Sequence, residues 1–376
     1  MSARDARKGL VAVTLLLGLG CTAPAPPVPT PSLQGVTTLA SGWTHSCALT
    51  KDGRVRCWGN NQDGQLGDGT RVSQHTPDLV VGLLGSARDV TVGERHTCIL
   101  TASGGVKCWG SNEASQLGDG TRTDRVSPTE VHELPSGVRM VAAGERHTCA
   151  MSERGEVHCW GGNRHGQLGD GSFDTRARAI RVVELEPGIR GLAVGWRHTC
   201  VLTASGGVKC WGANQDGQLG DRTVVDKAIP VDVFGLTSGV AMIAAGARHT
   251  CAALDAGGVR CWGANDRGQL GNGTTDPVAT IGGPIPGLTE VRALSAGWQH
   301  TCALAGKAVF CWGDNEKGQV IDTGTRLIVP TPVEAPLGQA EVLRVAAGGH
   351  HTCVLVSEGD FSCWGDNEYG QLGKEE

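Results

Sequence analysis

The cysteines impose the strongest constraint on how this chain can fold. A His-x-Cys pair occurs seven times: His45 with Cys47, His96 with Cys98, His147 with Cys149, His198 with Cys200, His249 with Cys251, His300 with Cys302 and His351 with Cys353. Each first cysteine follows the last by 51 residues. A second cysteine follows each one within a CWG string, at Cys57, Cys108, Cys159, Cys210, Cys261, Cys311 and Cys363. Fourteen of the fifteen cysteines therefore form seven pairs, and Cys21 is left over. A long, fixed period of this kind means that one small supersecondary unit is stacked many times, each copy burying its apolar face against the next.

The residues around the cysteines repeat too. VRMVAAG (138–144), HTCAM (147–151) and EVHCW (156–160) read as strands A, B and C. A stretch with Pro and Val, such as SPTEVHEL (127–134), reads as strand D of the preceding copy. Between strands C and D lies a Gly-, Asn- and Asp-rich turn, WGNNQDGQLGDGT at 58–70. The 58 glycines, against only five Phe and Tyr together, disfavour helices and suit turns and short strands. Seven units of four strands predict an all-β, seven-bladed β-propeller with four antiparallel strands per blade, a single domain over 34–376. A parallel β-helix needs much shorter coils.

The register of the B–C hairpin decides what the cysteines do. In CALTKDGRVRC the three-residue loop Lys51-Asp52-Gly53 pairs Thr50 with Arg54 and sets Cys47 opposite Cys57. The same spacing sets Cys98 opposite Cys108, Cys149 opposite Cys159, Cys200 opposite Cys210, Cys251 opposite Cys261 and Cys353 opposite Cys363. The sixth copy is one residue shorter, CALAGKAVFC. A two-residue Gly306-Lys307 turn there still sets Cys302 opposite Cys311, and GQVIDTGT in place of GQLGDGT restores the period. Opposed cysteines on antiparallel strands lie within disulfide reach. The expectation is one disulfide inside each blade. A zinc site would have one His and two Cys per copy, lacks a fourth ligand and needs reduced thiolates; no metal and no cofactor are expected.

The motif A-G-x-x-H-T-x-A-L-T-x-x-G-x-V-x-x-W-G-x-N-x-x-G-Q-L-G resembles the RCC1-type (regulator of chromosome condensation) propeller repeat, over residues 36–376. The resemblance implies the same seven-bladed fold. For function it points two ways: the class-defining member binds chromatin and acts on the Ran GTPase, whereas a secreted propeller of this type that inhibits β-lactamases binds through aromatic residues in matching loops. The seventh copy stops at GQLGKEE without a strand D, and PVPTPSL stands before the first strand A. The two ends of the chain are therefore expected to complete one blade and remove an exposed sheet edge.

The N-terminus speaks to compartment. MSARDARKG is basic, LVAVTLLLGLG is a short apolar run, and Cys21 follows directly. Residues 1–20 thus resemble a bacterial lipoprotein signal, with Cys21 as lipid attachment site; a plain secretory peptide cut after Ala23 or Ala25 is the alternative. Residues 21–33 form a Pro-rich spacer. The expected location is the bacterial cell envelope, at the outer membrane or cell surface, with a secreted or periplasmic protein as the alternative. Attachment to the membrane is expected through the lipid alone. A net charge of −5 offers no basic face for nucleic acid.

The repeated residues read as scaffold: the histidines bonding turn backbone, the CWG tryptophans packing between blades, and Asn61, Asp63 and Asp68 building turns rather than binding calcium. Function is sought where the copies differ. Between Gly and His, the A–B loops carry Trp43-Thr44, Glu94-Arg95, Glu145-Arg146, Trp196-Arg197, Ala247-Arg248, Trp298-Gln299 and Gly349-His350. The C–D loops, on the same face, add Asp63, Arg164, His165, Asp216, Asp266, Arg267, Lys317, Glu368 and Tyr369. Candidate partner-binding residues are Trp43, Glu94, Arg95, Glu145, Arg146, Trp196, Arg197, Arg248, Trp298, Gln299 and His350, since Trp and Arg dominate binding hot spots. The expectation is a monomeric, non-catalytic interaction scaffold for a protein partner. A carbohydrate- or peptidoglycan-binding propeller is the alternative. A lyase or hydrolase ranks lower, because no catalytic motif breaks the repeat, and so does a guanine-nucleotide exchange factor, because an exported, acidic chain does not share its nuclear setting.

Overall fold

The computed structural model describes residues 33, 35–83, 87–276, 281–321, 328–338 and 340–374. The expected signal segment, Cys21, and the Pro-rich spacer and proposed closing strand apart from Leu33 fall outside these residues, as does the compensating insertion of the sixth copy.

The first blade shows the plan. Strands β1 (Val36–Ser41), β2 (His45–Thr50), β3 (Val55–Gly59) and β4 (Gln74–Leu79) pair in sequence order, each antiparallel to the next. Seven such sheets follow one another. Five have four strands; the fifth and seventh have three among the described residues. In the fifth, Ile285 N–H still bonds Val259 O at 2.8 Å, matching the Val80–Val55 bond of the first blade. No helix among the described residues is long and apolar enough to cross a membrane.

The hairpin register is as the loop lengths require. Thr50 N–H donates to Arg54 O at 2.9 Å, Gly53 sits at φ +77°, and Cys47 faces Cys57. In the shortened copy Ala305 pairs with Ala308 and Cys302 with Cys311, Gly306 taking φ +57°. Every expected disulfide forms, and each stays within its own blade. Cys47 is bonded to Cys57, Cys98 to Cys108, Cys149 to Cys159 and Cys200 to Cys210. Cys251 is bonded to Cys261, Cys302 to Cys311 and Cys353 to Cys363. The Cα atoms are 4.1 Å apart in all seven, and in six of them both half-cystines are at 4% exposure or less.

The core lies between blades. In one cluster Cys47, Leu49, Val55 and Leu66 of the first blade meet Val90, Ile99 and Trp109 of the second. The join is polar as well as apolar. Trp109 Nε1 and Thr97 Oγ1, both on the second blade, donate to the same carbonyl, Gln65 O of the first, at 2.9 and 2.8 Å. The GQLG turn therefore presents one carbonyl to two donors of its neighbour. Gly118 shows why its last position is glycine: φ is +69°, and a Cβ would stand 2.8 Å from Trp160 Nε1.

The seven histidines complete the join. His45 Nε2 lies 2.9 Å from Thr97 Oγ1, and the same contact runs His96–Thr148, His147–Thr199, His198–Thr250, His249–Thr301 and His300–Thr352. His351–Ser46, at 2.8 Å, closes the circle. The imidazoles thus reach the turn backbone only through a hydroxyl of the next blade, whereas the sequence suggested a direct bond. Each hydroxyl has one proton and gives it to the Gln carbonyl, so it accepts from Nε2–H. That fixes the tautomer and leaves Nδ1 buried and without a hydrogen-bond partner in all seven.

A test follows from this circle. Thr97→Val strands the buried His45 Nε2–H and is expected to cost about 2–4 kcal/mol in urea unfolding. Thr97→Ser should cost about 1 kcal/mol or less, because Ser46 already closes the ring in blade one. Equal losses for the two variants would rule out the hydroxyl's role.

Candidate functional site

With Cys, His, CWG Trp and Gln all committed to the joins, the variable A–B loops are held rigidly at one end of the ring. Their first positions point to the axis. Trp43, Trp196 and Trp298, from the first, fourth and sixth blades, touch one another there, with ring centroids 5.0 Å (Trp43–Trp298), 6.0 Å (Trp196–Trp298) and 6.3 Å (Trp43–Trp196) apart. His350 adds an edge-on contact to Trp298 at 4.9 Å. The three indoles, with Glu94 and Glu145, bound an axial cavity of about 110 Å3 whose wall is otherwise the small residues that end each strand A. Gly93 is typical of that wall. A Cβ there would lie 2.4 Å from His96 Cε1 and 2.5 Å from Gly144 O.

The second positions point outward, to the C–D loop of the preceding blade. Arg95 meets Asp63 at 2.7 Å, Arg248 meets Asp216 at 3.1 Å and Asp266 of its own blade at 3.2 Å, His350 stands 3.7 Å from Asp314, and Arg146 lies between Glu113 at 4.0 Å and the adjoining Glu145 at 3.5 Å. These contacts place A–B and C–D loops on one face, as the up-and-down topology requires. Arg197 departs from the pattern: it turns inward to Glu145, at 2.6 and 3.3 Å, and stacks on Trp196 with its guanidinium carbon 4.4 Å from the ring centroid. Gln299 and Thr44 are half-buried beside these loops.

The electrostatics differ between the two shells. Glu94 is half-buried beside Glu145. Burial first, and then the charge of Glu145, push its carboxyl up to about 7. Asp314 behaves oppositely. Burial raises it, but His350 at 3.7 Å, a hydrogen bond from the Glu316 backbone N–H and the charge of Arg267 nearby outweigh that and hold it below the usual carboxylate range. Asp314 was missed in the sequence, although a signal existed: the residue after WG is Asn60, Ser111, Gly162, Ala213 and Ala264 in five copies and turns acidic, Asp314 and Asp366, only in the last two. Asp68 is engaged by Asn61 Nδ2 and by the backbone and hydroxyl of Thr70, at 2.8–3.0 Å, as a turn-builder.

Comparison with known proteins agrees with this architecture. The RCC1-like domain matches residues 17–303, and the regulator of chromosome condensation (RCC1) repeat matches 291–319, 342–371 and 308–355. Ultraviolet-B receptor UVR8 of Arabidopsis thaliana is 33% identical over 351 residues, covering 90% of this chain and 78% of that protein. Human E3 ubiquitin-protein ligase HERC2 is 35% identical over 275 residues, 69% of this chain but 6% of HERC2. Among solved structures, human WBSCR16 superposes with a TM-score of 0.79 at 24% identity, covering 87% of this chain and 89% of its own. Prp20p of Saccharomyces cerevisiae gives 0.75 at 21% identity, covering 89% and 84%. These two likenesses are of fold alone. On the family match, the relative and the seven stapled blades together, this chain belongs to the RCC1-like repeat family of β-propellers.

Proposed function

We propose that this protein is a non-catalytic lipoprotein of the bacterial cell envelope, anchored through Cys21, whose propeller binds a protein partner with the A–B/C–D loop face. One observation carries the reading: the residues that differ between copies converge on a single end of a scaffold whose repeated residues are all occupied in holding it together. An aromatic centre with a rim of paired charges is the usual anatomy of a protein-binding patch. The disulfide in every blade supports an oxidising compartment, and with it export. Sugar binding is the weaker reading, because Trp43, Trp196 and Trp298 cover ring surface of one another rather than offering flat, separate platforms.

The test is a pull-down from cell-envelope extract with wild-type protein and the Trp43/Trp196/Trp298→Ala triple variant. Wild type is expected to recover partners that the variant loses; identical recovery would exclude this face. UVR8 is named an ultraviolet-B receptor, and three touching indoles absorb in that range. A light response is therefore a second reading, separated by repeating the pull-down under ultraviolet-B illumination.

A further inference from the structure

The axial cluster is unevenly charged. Glu145 meets Arg197 at 2.6 and 3.3 Å and Arg146 Nε at 3.5 Å. Glu94, beside it, accepts one long hydrogen bond of 3.4 Å from Trp196 Nε1, and among the described residues no cationic nitrogen lies within ion-pair distance of it. Arg95, next in sequence, is turned away to Asp63. Two carboxylates therefore share the cations of one. Burial first, and then the charge of Glu145, push the Glu94 carboxyl up to about 7, and the nearby arginines do not offset them.

The aromatic side is uneven in the same way. Arg197 over Trp196 shows that the triad accepts a stacked guanidinium. Trp43 and Trp298, both half-buried, carry no stacked cation among the described residues. Between the indoles and Glu94 is the 110 Å3 cavity, and in its wall Ser41 has a buried hydroxyl without a hydrogen-bond partner. A divalent metal fits poorly, since one unpaired carboxylate and indole rings supply too few oxygen ligands.

We propose that the axial mouth receives one basic side chain of the protein partner, a guanidinium or an ammonium, which pairs with Glu94 and lies against Trp43 and Trp298. The incoming cation supplies the charge that Glu94 lacks. It also gains the attraction of the indole faces in a partly desolvated site, where both terms are stronger than in water. This inference rests on the loop face being a protein-binding surface, and it names what that surface recognises.

The probes are N-acetyl-arginine amide and N-acetyl-lysine amide, with N-acetyl-citrulline amide as the neutral analogue of matching shape. Binding to the full chain is followed by tryptophan fluorescence and calorimetry. Saturable binding of a basic amide is expected, about tenfold tighter than citrulline amide. Glu94→Gln, which keeps size, and Trp298→Leu should each weaken it about fivefold or more, with a cooperative unfolding transition retained. Equal affinity for the arginine and citrulline amides, dissociation constants above about 10 mM for both basic amides, or an unaffected Glu94→Gln variant would overturn the proposal. If it fails while the triple Trp variant still loses its partner, the face binds protein without a basic anchor. If a basic amide binds but the triple variant keeps every partner, the socket stands and the wider function falls.

Discussion

Acidification from neutral to about pH 5.5 is expected to remove on the order of 9 kcal/mol from the stability of the folded ring. The cause is the circle of seven histidines. Each is fully buried, and desolvation of the charged form, joined in all but His96 and His198 by smaller repulsion from neighbouring histidines, lowers the imidazole from 6.5 to about 3 for His45, His96, His147, His249 and His300, and to about 4 for His198 and His351. Above pH 6.5 neither the folded nor the unfolded chain protonates them. Below it the unfolded chain takes up protons that the folded chain refuses, so stability falls with pH until the folded values are reached. Each histidine contributes slightly more than about 1 kcal/mol to that loss over the stated interval, on the order of 9 kcal/mol for the seven together. Glu94 runs the other way, since its raised carboxyl favours the folded state as pH falls from about 7 towards 4.5. Asp63, Asp89 and Asp216, also raised by burial, act in the same sense at lower pH, but seven histidines outweigh them all between about pH 7 and about 5.5. Asp119, Asp170 and Asp221, held low despite the raising effect of burial by hydrogen bonds from Thr121, Ser172 and Thr223, add to the loss only at more acid pH. Because whole domains are stable by only about 5–15 kcal/mol, the urea midpoint should collapse between these two conditions. An unchanged or rising midpoint would mean that the imidazoles are not held neutral in the join.

What the sequence made visible, and what it hid, follows from distance along the chain. The B–C hairpin is local. Loop lengths of two and three residues determine its register, so the pairing of Cys302 with Cys311 could be argued from a single missing residue. The repeat period likewise announces the blades. The partner of each histidine is different, because it belongs to the next copy. Thr97 follows His96 directly yet serves His45, and nothing in one copy distinguishes that from a bond within the blade. Ser46 in place of threonine keeps the hydroxyl and is the one trace that a hydroxyl is required there.

The candidate site was legible as a set of variable positions but not as an arrangement. Trp43, Trp196 and Trp298 are separated by more than a hundred residues, and only closure of the ring brings the first loop position of three non-adjacent blades within 5.0–6.3 Å. The alternation inside each loop pair, axis for the first residue and C–D carboxylate for the second, depends on which way the turn faces. That direction also changes how the arginines read. Arg95 and Arg248, offered by composition as partner-binding groups, are braces between blades, and their replacement would loosen the face as well as strip it.

The covalent staples lead to the second large effect. In the native protein the disulfides are expected to resist dithiothreitol at neutral pH, since the cysteines are 8% exposed at most and the reductant reaches them only when a blade opens. In denaturing urea all seven should be reduced together, exposing fourteen thiols. Each bridge closes a loop of ten or so residues, worth about 2–3 kcal/mol in the chain-entropy account. Seven would sum to about 14–21 kcal/mol if they were additive, and half of that already matches the whole stability of a typical domain. The weight of the bridges follows from the composition of the joins. The A strands end in small side chains, such as Ala142-Ala143 and Ala346-Ala347, four Phe and one Tyr serve the entire chain beside the CWG tryptophans, and the hairpin centres that large apolar residues would fill are cystines. Reduced, alkylated chain diluted from urea should therefore fail to regain strand circular dichroism or a cooperative transition, while chain refolded with its bridges intact regains both. Recovery of a cooperative fold by the alkylated chain would show that the circle of His–hydroxyl and Trp–carbonyl bonds holds the propeller without its staples.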